Sequence, residues 1–203
     1  MAVRAAGSAT LSTRARICTF YGTSVSAEQA CTLEDDEITF ELMVRSHVTA
    51  TNLRAANIGP VALKARGAKT ASMMRQLGVD ALHLCDADFC NECMLAYGTQ
   101  AVQDAFLLTA EDAVSLAGTP AMEMLNISTL QLLQQCAGFP GEALAVLQQL
   151  PQGTALCGVP GQVLLDTGLR FASLRRVGYG LTAIVDQVGP SAVELGKLGF
   201  ATS

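Results

Sequence analysis

The sequence predicts an all-α fold: a solenoid of short helical hairpins, about 20 residues each, closed by a distinct N-terminal cap. Three columns of residues predict it. The first is glycine. Gly78, Gly98, Gly118, Gly138, Gly158 and Gly178 stand twenty residues apart, Gly168 falls halfway between two of them, and Gly189 and Gly199 continue the ten-residue beat one position late. The second is apolar and brackets the first: Met74, Met94, Val114, Leu164, Leu174, Val185 and Leu195 lie four residues before a glycine, and Val79, Phe139, Val159, Leu169, Tyr179 and Phe200 directly after one. The third is proline, with Pro60, Pro120, Pro140, Pro160 and Pro190 one or two residues past a glycine.

Each column has a physical cause. A helix commonly ends on a glycine in the left-handed conformation, where a side-chain carbon would clash. The residue four before it and the residue after it then meet through a hydrogen bond and an apolar contact. Met74 to Val79, Leu174 to Tyr179 and Leu195 to Phe200 each read as such a stop. Proline suits the first helical turn, where its missing N–H has no partner to lose. Each ten-residue unit is therefore a helix of about two turns and a turn. Helices below about 12–15 residues are marginal alone, so neighbouring units must hold them. Glycine is weaker at alternate turns (Asp88, Leu108, Ser128, Gln148), which pairs the units into hairpins.

Taken in order, residues 1–25 differ from the rest. They carry Arg4, Arg14 and Arg16 and no acid, a composition shared with organelle transit peptides. The segment is expected to cap the open end of the array, with Ile17 to Tyr21 as a short strand or apolar plug. The array runs over residues 26–200. Its first unit, Ser26 to Leu33, parallels Thr109 to Leu116, whose Thr109 and Asp112 frame a capping box. Leu33, Met43, Leu53, Leu63 and Met73 keep the ten-residue beat. Glu34 to Glu37 is an acidic first turn, and Ile38 to Val44 reads as helix in spite of a partly alternating pattern. Pro151 is out of column with Gly153 behind it, so residues 150–154 form a longer turn or kink. Residues 201–203 are a polar tail.

The units resemble the L-x-x-x-G-[FV] helical repeats that occur in tandem in some large repeat proteins. That resemblance spans residues 26–200 and implies an α-solenoid with a binding or assembly role and no catalytic residues. A second resemblance is local. Val177 to Leu181 and Asn57 to Pro60 look like the turn of the helix-hairpin-helix DNA-binding motif, which implies backbone N–H groups facing a phosphate. Pro60 removes one such N–H, and lysine is sparse around these turns.

Chemistry is thinly represented. His83, Cys85, Cys90 and Cys93 form the one metal-like cluster, Cys90 and Cys93 having the spacing of a zinc-binding pair. All four fall in eleven residues, tighter than common zinc modules, and buried cysteine is also an ordinary small hydrophobe. A zinc-stabilised module would lose stability on chelation. Seven cysteines, an odd number, point to a reducing intracellular compartment. With His47 and His83 the sole histidines, no nucleophile–base pair can be assigned, and the chain reads as no enzyme. Met73, Met74, Met94, Met122 and Met124 read as core filling ahead of an adaptable groove. A net charge of −5 argues against general attraction to nucleic acid, and no apolar run reaches the ~18 residues of a membrane span.

The expected function is thus a protein-interaction scaffold or a structural subunit, through a protein partner or self-assembly. The rival class, a nucleic-acid binder, needs Arg54, Arg66, Arg75, Arg170, Arg175 and Arg176 on one face.

Overall fold

The computed structural model describes residues 38–199. The expected cap (1–25), the first unit (26–33), the acidic turn Glu34 to Glu37, Phe200 and the tail lie outside the described residues. The described chain is helical throughout, with thirteen α-helices, two 3₁₀ helices and no strand. It divides into two compact units.

The first unit comprises residues 38–79 and 92–98. It holds α1 (Phe40–Arg45), α2 (Ala50–Ala55), α3 (Pro60–Ala65), the 3₁₀ helix Ala71–Leu77 and the second half of α4 (Ala87–Tyr97). Ile38 to Val44 is helix from Phe40 on, as its neighbours' beat requires. Each short helix begins at an extended residue, and at α1 and α2 the hydroxyl of that residue caps the helix. Thr39 Oγ1 accepts from Leu42 N–H, and Thr49 Oγ1 from Asn52 N–H. Each buries its middle: Met43, Leu53 and Leu63 are sealed from solvent, and Ile38, Val48, Ile58 and Ala68 are buried in the turns.

The ends follow one scheme. Val48 N–H donates to Met43 O at 3.0 Å, Ile58 N–H to Leu53 O at 2.9 Å and Ala68 N–H to Leu63 O at 3.0 Å. The residue just before each donor is left-handed: His47 at φ 54°, Asn57 at 53° and Gly67 at 105°. So the glycine stop is present twice without glycine. Asparagine and histidine are the side chains that tolerate this region best, although it strains any residue with a Cβ. Asn57→Gly is expected to leave stability unchanged or raise it by up to ~1 kcal/mol, and Asn57→Ala to lower it by about 1–2 kcal/mol, as measured by urea unfolding.

One column slips. The beat Met43, Leu53, Leu63 continues to the buried Met74, and Met73 is only half-buried. The following segment is wound as a 3₁₀ helix, whose tighter turn changes which residue faces inward.

The second unit comprises residues 80–91 and 99–199. It holds the 3₁₀ helix Ala81–Cys85, the first half of α4, α5 (Thr99–Phe106), α6 (Ala110–Leu116), α7 (Pro120–Met124), α8 (Thr129–Gln135), α9 (Pro140–Gln149), α10 (Gly161–Asp166), α11 (Phe171–Arg176), α12 (Leu181–Val188) and α13 (Ala192–Leu198). Every glycine of the predicted column, in either unit, is left-handed. The two stops testable here close as expected: Val79 N–H meets Met74 O at 3.3 Å, and Tyr179 N–H meets Leu174 O at 3.0 Å. Pro60, Pro120 and Pro140 open their helices, Pro160 is the residue before α10, and Pro190 precedes the capping Ser191. The apolar column holds at Met74, Leu164 and Leu174, which are fully buried. It fails at Met94, Val114 and Leu195, which are half-buried, and at the exposed Val185 and Phe139. In α4 and α6 the inward places go to Cys90, Cys93, Ala113 and Leu116 instead, because longer or differently phased helices rotate the buried stripe.

The packing of helices also reaches beyond the expected hairpins. Within the second unit, Ala81–Cys85 packs on α6, α6 on α9, α8 on α10 and α10 on α13. Within the first, α1 packs on Ala71–Leu77. These partners begin about thirty residues apart, three decads, while the consecutive α8 and α9 also pack on each other and α7 packs on Ala81–Cys85 at about forty. Only α6 with α8 keeps a close contact at twenty. A six-residue helix buried at its turn, its start and its middle has more than one apolar face, and a single hairpin partner covers only one.

Long side chains bridge intervals of 22 to 35 residues. The last carbonyls of a helix have no partner within it and need donors from elsewhere. On α6, Gln149 Nε2 donates to Val114 O at 3.2 Å and Cys85 Sγ to Ser115 O at 3.3 Å. Gln103 Nε2 donates to Leu125 O, Gln152 Nε2 to Val177 O at 2.7 Å, Lys64 Nζ to Ala96 O and Tyr97 Oη to Ala68 O at 2.9 Å. A short helix with a polar surface stripe thus finishes its neighbour's end. At α13 the cap is local: Ser191 Oγ and N–H both donate to Glu194 Oε2 at 2.7 Å. Those bonds hold the Glu194 carboxyl below its usual range. Because the folded value is lowered, the cap is complete above the ordinary 4.5 and is lost as pH falls through the folded value. Ser191→Ala should return Glu194 toward its ordinary titration, followed by carboxyl-carbon NMR.

Candidate functional site

A concavity in the second unit lies where the sequence loses its ten-residue beat. Pro151 is out of column, and residues 152–158 form a run of turns in place of a helix. The gap left by that missing helix, beside the five-residue α7, is a groove of about 700 Å³ open to solvent. Its apolar floor includes Ile127, Leu150 and Ala155, all buried. Met122 is half-buried along it, so one of the methionines read as core also borders a groove. The walls carry Thr129, Thr154, Asn126 and Glu123.

Two close approaches shape the groove. Gly118 is left-handed at φ 67°, and a Cβ there would stand 2.5 Å from Gln149 O. Glycine is required on both counts. On the far side, Leu147 O would bond to residue 151 in a continued helix, but proline has no N–H to give. Tyr179 Oη is the donor that reaches it, at 3.4 Å. Tyr179 is fully buried, and burial raises its phenol pKa. The kink that opens the groove is therefore braced from α11's stop.

Smaller hollows lie elsewhere among the described residues. One of about 280 Å³ lies between α1 and the 3₁₀ helix that covers it, beside Phe40, Arg45 and Met73. Another of about 270 Å³ is lined by Gln100, Gln103, Gln131, Gln134 and Gln135. Gln103 and Gln131 are already committed, one to Leu125 O and the other to the capping of α8.

The cysteine–histidine cluster is dispersed among structural tasks. His83 Nδ1 lies 2.6 Å from Asp80 Oδ1 and closes a capping box on the 3₁₀ helix Ala81–Cys85. Cys85 donates to Ser115 O. Cys90 is fully buried in the second unit, and burial first, then nearby Cys85, raises its thiol pKa. Cys93 is fully buried and belongs to the first unit. Burial raises the Cys136 thiol to about 11. Among the described residues no group of three or more His, Cys, Asp and Glu side chains is placed to hold a metal ion.

The helix-hairpin-helix-like turns are built as helix stops. Tyr179 N–H is taken by Leu174 O, and Gly59 and Pro60 open α3. Arg170 Nη1 donates to Lys197 O and Arg66 Nη1 to Ala62 O, so both serve helix ends. The chain matches none of the family models, curated proteins or solved structures compared with it. Among the described residues no helix is long and apolar enough to cross a membrane.

What the chain offers is a mixed groove with one carboxylate, framed by the turns at Gly118 and Pro151. Of its residues, the sequence singles out Gly118 and Pro120 as a helix stop and start, Met122 as core filling and Pro151 as a kink, without joining them into a site. The signal was there in the broken proline column.

Proposed function

We propose that the protein is a non-enzymatic interaction scaffold, an α-helical solenoid of ten-residue units that presents the groove beside Pro151 to a protein partner. The observation that carries this reading is the recurrence of packing and of carbonyl-capping bonds at about thirty residues, the nearest-neighbour pattern of stacked repeats. Both histidines serve the backbone, His47 as a left-handed turn and His83 as a cap, which fits a binding role better than catalysis. Loops and interruptions held by a rigid repeat frame are where binding surfaces concentrate.

The experiment is site-specific photocrosslinking in the native cell extract, with the crosslinker at Met122 in the groove or at the exposed Leu82 outside it. The result expected is a protein joined at Met122 and not at Leu82, which then binds the purified chain in a saturable titration. Crosslinks equal at both positions, or no saturable binding, would overturn the reading.

A further inference from the structure

We infer that the groove beside Pro151 takes an extended peptide segment of a partner protein, with one lysine or arginine side chain set against Glu123. This rests on the scaffold reading and specifies its partner.

The charge is the first argument. Glu123 is the one ionisable side chain lining the groove. It is exposed, and its carboxylate has no ion-pair or hydrogen-bond partner among the described residues. The chain as a whole carries −5, so its field favours a cationic segment over an acidic one.

The shape is the second. At about 700 Å³ the groove is within the range of ligand sites, yet such sites bury most of a small molecule's surface. This one is open to solvent and would leave a small ligand largely wet. A chain segment loses nothing by that, because its own protein covers the outer side.

The lining is the third. An extended backbone carries one donor and one acceptor per residue and sends alternate side chains to opposite sides. Thr129, Thr154 and Asn126 line the groove with side-chain hydroxyls and an amide that make no hydrogen bond among the described residues. Ile127, Leu150 and Met122 supply apolar contact for every second side chain. The groove therefore matches a peptide whose residues alternate between apolar and polar with a cation at one place.

The test uses the full chain and a positional-scanning library of short fluorescein-labelled peptides, read by fluorescence polarisation. The expected result is selection of Lys or Arg at one position beside apolar residues. Glu123→Gln should weaken the selected peptides roughly 3–10-fold, and Glu123→Lys should reverse the preference to Asp or Glu. Thr129→Arg, which fills the groove, should abolish binding. Glu123 and Thr129 are not sealed in the core, and an unchanged melting temperature confirms that each variant is folded. Peptides that bind with no preference at Glu123 would overturn this inference and leave the scaffold reading standing. The same holds if no peptide binds while Met122 still crosslinks to a saturable partner. Absence of both would remove the two together.

Discussion

Tyr179→Ala is expected to lower the unfolding free energy by about 3–5 kcal/mol, the scale seen when a large buried aromatic is cut to alanine. The ring is the largest fully buried side chain of the described residues, held in the turn that ends α11. Its hydroxyl does a second task, bonding to Leu147 O where Pro151 brings no N–H. Tyr179→Phe isolates that task. It should cost about 1–3 kcal/mol, because it leaves a buried carbonyl without a donor. A further variant, Pro151→Ala, restores an N–H at that place. Tyr179→Phe should therefore cost less in a Pro151→Ala background, and chemical denaturation of the four chains would show the coupling. Equal costs in both backgrounds would mean that the hydroxyl and the proline are independent.

Gly118→Ala is expected to be the more damaging of two substitutions that look alike in the sequence. Gly118 and Gly138 belong to the same column, and both are left-handed, at φ 67° and 77°. An alanine at either carries the backbone strain of about 1–2 kcal/mol. At Gly138 a Cβ meets nothing within 4 Å, so that strain is the whole effect. At Gly118 the Cβ would be 2.5 Å from Gln149 O, a backbone atom that cannot swing aside. Overpacking then adds about 1–3 kcal/mol. The Gly118 variant should also shift the groove wall and weaken any ligand of the groove, whereas Gly138→Ala should leave binding as it was. Thermal melts and the peptide titration read the two effects separately.

The contrast shows what the sequence could and could not convey. The stops were legible, because glycine, proline and an apolar residue at fixed offsets each reflect local backbone energetics within one turn. The stops at His47, Asn57 and Asn126 were not, since they use residues that merely tolerate the left-handed region. The phase of the buried stripe was misread at Met73, where a 3₁₀ turn moves the inward place to Met74. Pairing at three decads was beyond reach: the local pattern of a ten-residue unit is the same whichever distant unit covers it. The groove was half legible. Pro151 broke the column in plain view, but Glu123 looked like any acid in a first helical turn, and the approach of Gly118 to Gln149 depends on distant packing.

The thirty-residue interval has a consequence for how such a chain can change in length over generations. Several helix ends here borrow their donors from about three decads away, as Ser115 O does from Cys85 and Ala96 O from Lys64. Tandem duplication of a single decad would hand each borrowed carbonyl to the wrong lender and turn buried stripes toward water. Duplication of three decads at once would keep each lender opposite its borrower. Gains and losses in chains built this way should therefore come in blocks of about thirty residues, although the visible sequence motif is only ten long.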